Sequence, residues 1–140
     1  MAETKSVEME KLGKGYIDNE NMIGARVKAF RATVELKAQA VGDTVLLTKV
    51  PKGHAFAYGI EQSSVSLGSA TISVGTKDNP AKYAAAHTLT VQTPVVFAAP
   101  APANTRIIVD AEEEILLTVA AAAAPASGML AIDLFFTSAQ

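Results

Sequence analysis

From Phe30 to Ala38 the chain alternates in steps of two. Phe30, Ala32, Val34, Leu36 and Ala38 fall on one side, and Arg31, Thr33, Glu35 and Lys37 on the other. That period predicts a strand with one face buried and one face wet. Ala40 to Asp43 reads as a turn and Thr44 to Val50 as a second strand. Pro51, Lys52 and Gly53 form a tight connection into a third strand from His54 through Glu61. Strands joined so closely predict an antiparallel meander. Ser63 to Ser69, small, polar and Gly-containing, suits an exposed loop.

The block from Gly68 to Leu89 reads as strand, short helix, strand. Thr71 to Val74 is β-branched at three of four positions and closes at Gly75, a residue free to take positive φ. Asp78 or Asn79 can cap a helix, Pro80 suits its first position, and Ala81 to Ala86 contain good helix formers, which predicts one or two helical turns. His87 to Val91 returns to β-forming residues, and Pro94 punctuates the run before Val95 to Phe97. The AAPAPAN stretch is a stiff, extended connector. Thr105 to Val109 resumes a strand, an acidic corner follows, and Ile115 to Ala120 is expected to pair with Met129 to Phe136 across APASG. In that last strand Leu130, Ile132, Leu134 and Phe136 share a face. Phe135, on the opposite face, invites a contact.

About eight or nine strands with one helical segment and regular turn signals predict an all-β protein, an antiparallel β-sandwich or jelly roll with one short helix. A parallel sheet would need helical crossovers that only residues 79 to 86 could supply. Residues 25–140 form the single sandwich domain. Residues 1–24, polar and of mixed charge with Gly13, Gly15 and Gly24, form an extended N-terminal arm. Tyr16, Ile17, Met22 and Ile23 are the arm's apolar exceptions. They fit either a groove on a neighbour or the protein's own sheet edge.

Composition narrows the picture. At 140 residues, rich in Ala and Val and without Trp, the chain affords one core with a shallow, finely divided interior and no large ligand cavity. The absence of Cys excludes disulfides, thiolate metal sites and a cysteine nucleophile. MAETKSVEMEKLGKG lacks the apolar centre of a signal peptide, and no run of about 18 apolar residues exists, so a soluble chain made in the cytoplasm is expected. A formal charge of −2 argues against nucleic-acid binding. The charge is split along the chain. Between Ala25 and Ile60, Arg26, Lys28, Arg31, Lys37, Lys49 and Lys52 stand against Glu35 and Asp43, and every charge after Ile107 is acidic. Such a split fits head-to-flank docking between copies, or a solvated surface.

Reactive constellations are sparse. His54 and His87 show no metal-ligand spacing, and a Ser, His, Asp set built from Ser63 to Ser73, His87 and Asp110 lacks a nucleophile elbow. Asp110 and Glu112 to Glu114 fit neither a calcium loop nor a recognisable carboxylate pair, and the glycines cradle no phosphate. No catalytic, cofactor or metal site is expected.

Two phrases, SLGSATISVGTKDNPAKYAAAHTL and ILLTVAAAAAPASGMLAIDLFF, resemble the cement or decoration proteins of tailed-bacteriophage heads, over roughly residues 60 to 137. The resemblance implies a jelly-roll sandwich without enzymatic activity that binds the outside of the major capsid shell and clamps neighbouring subunits. Its partners would be the major capsid protein and further copies of itself, as a homodimer or alternatively a trimer, with no nucleic acid or membrane. It would be made in the host cytoplasm and reside on the virion exterior. The arm lies outside the resembling stretch, and its apolar residues Tyr16, Ile17, Met22 and Ile23 are the candidate shell contacts. Rival readings are a head-completion or tail-tube subunit, or a carbohydrate- or receptor-binding module. For the last, only Tyr16, Tyr58 and Tyr83 would serve as platforms.

Overall fold

A computed structural model describes residues 26–105 and 108–138. Eight strands follow one another: β1 (Arg26–Glu35), β2 (Thr44–Val50), β3 (His54–Ser63), β4 (Thr71–Gly75), β5 (Ala84–His87), β6 (Val95–Phe97), β7 (Glu113–Ala120) and β8 (Met129–Ser138). A single 3-10 turn at Pro102–Asn104 interrupts the connector that was expected to run extended. The strands form two four-stranded antiparallel sheets, ordered β1-β8-β3-β6 and β2-β7-β4-β5. Only β4 and β5 are both consecutive and paired, whereas every other connection crosses to the opposite sheet. This is the jelly-roll arrangement.

The crossing overturns two local expectations. β1, β2 and β3 are not a meander, because β2 pairs with β7 while β1 and β3 both flank β8. The hairpin of β7 with β8 is likewise absent, since β7 pairs with β2 and β4. Alternation says which face of a strand is dry but not which strand lies beside it, and a crossing connection buries the same face as a hairpin. The loop from Ala121 to Gly128 starts and ends in left-handed backbone, with Ala121 at φ 66 and Gly128 at φ 128. It is zipped to the β1–β2 loop by Leu36 N–H to Gly128 O, Ala38 N–H to Pro125 O and Ala124 N–H to Gln39 O, each 2.9 Å. The alanine run serves close packing of these two loops.

The short helix expected at Pro80 to Ala86 is also absent. The Asn79 carbonyl accepts from the amides of Thr76 (2.9 Å) and Lys82 (3.0 Å), closing a tight turn with Pro80 at its second position, and Tyr83 N–H donates to Val74 O. Ala84 onward is β5, the outer strand of its sheet. Helix propensity distinguishes residues by at most about 0.7 kcal/mol each, whereas full burial of Tyr83 is worth more than the whole alanine preference. Gly75 keeps an ordinary φ. It is required because this turn folds back onto it, so an added Cβ would overlap Asn79 O and the Pro80 carbonyl carbon.

The core lies between the sheets. Leu130, Ile132, Leu134 and Phe136 of β8 are each fully buried against Val50, Ile72, Val74, Ile115, Leu117 and Val119 of the facing sheet. Toward the end where β8 finishes, the interior is aromatic and deeper than the composition predicts. Phe136 meets Phe30 and Phe56 edge-on at 5.5 and 5.4 Å, and Phe56 lies 4.6 Å from Tyr83. Phe136 is the shared member of this cluster. Phe136→Ala is expected to lower unfolding free energy by about 3–5 kcal/mol in urea titration, whereas Phe135→Ala, on the outer face of the same strand, should cost under half as much.

Candidate assembly surface

The surface chemistry is set by one irregularity in β3. Phe56 faces inward opposite Phe136, but the pairing resumes with Tyr58 opposite Phe135, which leaves Ala57 as an extra residue. Because side chains alternate with period two, one inserted residue inverts the rest of the strand. Gly59, Glu61 and Ser63 therefore turn inward and are buried, while Tyr58, Ile60 and Gln62 turn outward. Phe97 of β6 covers the bare Cα of Gly59, where an added Cβ would overlap its ring.

Outside, the bulge builds an apolar face. Successive rows across the sheet read Ala29–Phe135–Tyr58, then Arg31–Asp133–Ile60–Val96, then Thr33–Ala131–Gln62. Phe135 and Tyr58 stack at 4.7 Å with 13° between their planes, Val96 is 66% exposed and Val27 is 61% exposed. The charges within these rows neutralise each other, since Arg31 Nε donates to Asp133 Oδ1 at 2.9 Å and Nη2 to Oδ2 at 3.3 Å. An antiparallel sheet normally turns a polar face to water, and this face departs from that pattern.

Inside, the same bulge places a carboxyl group in the core. Glu61 reaches from β3 to His87 on β5 of the other sheet, accepting from Nε2, while His87 Nδ1 donates to Ala85 O at 2.7 Å. Both ring nitrogens face oxygen acceptors, the arrangement of a doubly protonated imidazole. The Glu61 hydrogen bond raises the His87 pKa above its ordinary value, opposed by burial and reinforced by Ala85. Glu61 Oε2 is buried and has no hydrogen-bond partner among the described residues.

At the end of the sandwich carrying the β2–β3, β4–β5 and β6–β7 connections, Tyr83 O–H donates to Glu113 Oε1 and Lys82 Nζ donates to Oε2 at 2.7 Å. Burial and this hydrogen bond push the Tyr83 phenol well above the usual tyrosine range. The trio borders a cleft of about 300 Å³ with Asn104 and Asp110, and both carboxylate oxygens of Glu113 are engaged within the trio. His54 donates from Nδ1 to Pro51 O at 3.0 Å and sits edge-on to Phe30. The Ser, His, Asp set is not assembled, because the carboxyl group beside His87 is Glu61. Among the described residues no trio of potential metal ligands gathers. Lys49 pairs with Glu114 and Arg31 with Asp133, so two bases of the 25–60 stretch meet acids from the end of the chain.

Tyr16, Ile17, Met22 and Ile23 lie outside the described residues. Phe135 is outward as expected, and Tyr58, Ile60 and Val96 join it unforeseen. Their trace in the sequence is Glu61, an acid that turns inward with Gly59 and Ser63.

No family model and no curated protein matches the chain. Its fold is similar to that of solved structures from phage capsids. A chain of the cyanophage Pam1 capsid asymmetric unit superposes with TM-score 0.64 at 16% identity, covering 83% of this chain and 87% of that one. A chain of the capsid of Ralstonia phage GP4 gives 0.61 at 26% identity, covering 81% and 84%. One from the acid-stable capsid of Helicobacter pylori bacteriophage KHP30 gives 0.56 at 11%, covering 83% and 94%.

The raised His87 pKa has a definite consequence for stability. The folded chain binds this proton more tightly than the unfolded chain, so the pair's contribution is complete below the unfolded imidazole value, about 6.5, and is lost as pH rises through the folded value. Urea titrations over a pH series should show stability falling above that point, with the fall diminished in Glu61→Gln. Parallel profiles for the two proteins would refute the pairing.

Proposed function

We propose that this chain is a virion structural protein that coats the outside of a major capsid shell and stabilises it by clamping neighbouring subunits. The observation that carries the reading is whole-chain likeness. The similar phage-capsid chains match over more than four-fifths of both partners, so each is about this size and built as the same sandwich. The resemblance of residues 60 to 137 to the cement or decoration proteins of tailed-phage heads is the ground for preferring decoration within that class. Its surface supports the same role, with stacked aromatics and exposed aliphatics on a paired sheet.

In this reading the N-terminal arm engages the shell, with Tyr16, Ile17, Met22 and Ile23 as anchors in a groove or along a strand edge. The sandwich acts as the spacer that sets the distance between anchors, and a homodimer spans two subunits. Each contact can be weak, because repetition over a closed lattice converts modest local affinity into high effective concentration.

Quantitative protein analysis of purified particles should find the chain in a fixed, high-copy ratio to the shell subunit. A handful of copies per particle would instead fit a connector or tail component. Deleting residues 1–24 is expected to leave thermal unfolding within a few degrees of the full chain while abolishing sedimentation with shells, and retention on shells would remove the arm from the mechanism.

A further inference from the structure

We infer that the outer face of the β1-β8-β3-β6 sheet is a twofold interface with a second copy of this chain. The inference rests on the reading of the chain as an assembling structural protein and is testable without any shell. Three observations carry it.

The first is composition. Ala29, Phe135, Tyr58, Ile60 and Val96 form a continuous apolar tract across all four strands, framed by Val27 and Met129, which are 61% and 47% exposed. On the other sheet the outward positions of β4 and its neighbour β7 include the half-buried hydroxyl residues Thr71 and Thr118 and the buried Ser73, beside Leu46 and Leu116, so no comparable aromatic and aliphatic tract crosses it. The second is that the tract is made at a cost. Without the extra residue at Ala57, Tyr58 and Ile60 would be core residues and Glu61 would be in water, so the fold carries a buried acid in order to present them.

The third observation identifies the occupant. A twofold interface lays a surface against itself, so any net charge on it would repel its own image. This face meets that condition. Arg31 is bonded to Asp133 within the rows, and Glu35 at the margin pairs with Lys37 at 3.3 Å. A strongly charged partner would find nothing to pair with, whereas an identical apolar, neutral sheet is complementary by construction. A footprint of the three ten-residue strands, with the three-residue β6 at its margin, is roughly 15 Å by 33 Å, which sits at the small end of specific interfaces and fits dissociation constants in the micromolar range.

The test is the mass of the full-length protein by sedimentation equilibrium at tens of micromolar, for the wild type, Val96→Glu, Ala29→Glu and Leu46→Glu. Val96 and Ala29 are exposed on opposite strands of the sheet, so either variant keeps the test alive if the other misfolds by circular dichroism. The wild type and Leu46→Glu should be dimers, and the two sheet variants should dissociate with a rise of about 100-fold in dissociation constant. A monomeric wild type, a trimer, or dimers that survive both sheet substitutions would each overturn the interface. So would a full chain that stays monomeric while a chain lacking residues 1–24 dimerises, since the face would then belong to the chain's own leading segment. None of these outcomes bears on particle copy number, so shell decoration stands or falls separately.

Discussion

The sandwich depends on β8 lying between β1 and β3 with its whole inner edge sealed against the opposite sheet. Leu130, Ile132, Leu134 and Phe136 are each fully buried, and the ten-residue ladder to β1 pairs every residue from Arg26 to Glu35 with one from Met129 to Ser138. A strand of this kind supplies both the hydrogen bonds of the sheet centre and the largest apolar contribution to the core. It also fixes topology. With the last strand inserted between the first and third, β2, β4, β5 and β7 build the second layer, and nearly every connection crosses the gap. The two zipped loops at one end and the aromatic cluster at the other close the openings that such crossings leave.

Against that rigid centre, β3 carries the irregularity that gives the molecule its surface. One unopposed residue moves an aromatic and an aliphatic side chain out of the core and a carboxyl group into it. The buried Glu61 is then tied across the sandwich to His87, so the inner consequence of the bulge becomes a polar tether between β3 and the edge strand β5. Surface and interior are thus two readings of a single backbone feature. The reading as a capsid-coating protein draws on this economy. A structural subunit needs rigid, water-tolerant contact faces, and one extra residue lets a strand change which of its side chains it presents partway along its length.

Much of this was legible in the residues themselves. The bounds of β2, the start of β4, the short β6 and the inward set of β8 followed from period-two alternation and turn residues, because those signals depend on nothing outside the segment. Which strands are neighbours was not legible, since a hairpin and a crossing bury the same face. The false helix at Ala81 to Ala86 has a related cause. Alanine is neutral enough to follow whatever its surroundings demand, and here burial of Tyr83 and the ladder to β4 demanded extension. The contact face was hidden for a third reason. A bulge is declared only by the partner strand, although an acid alternating with Gly59 and Ser63 was the trace it left in the sequence.

The bulge also has a bearing on how such a chain can change over generations. Substitutions in β3 are absorbed one side chain at a time, but gaining or losing one residue between Phe56 and Tyr58 would exchange the inside and outside of everything downstream in that strand at once. Length at this point should therefore be held fixed by selection more strictly than identity. Lineages that did cross that barrier would emerge with a different quaternary habit on an otherwise unaltered scaffold.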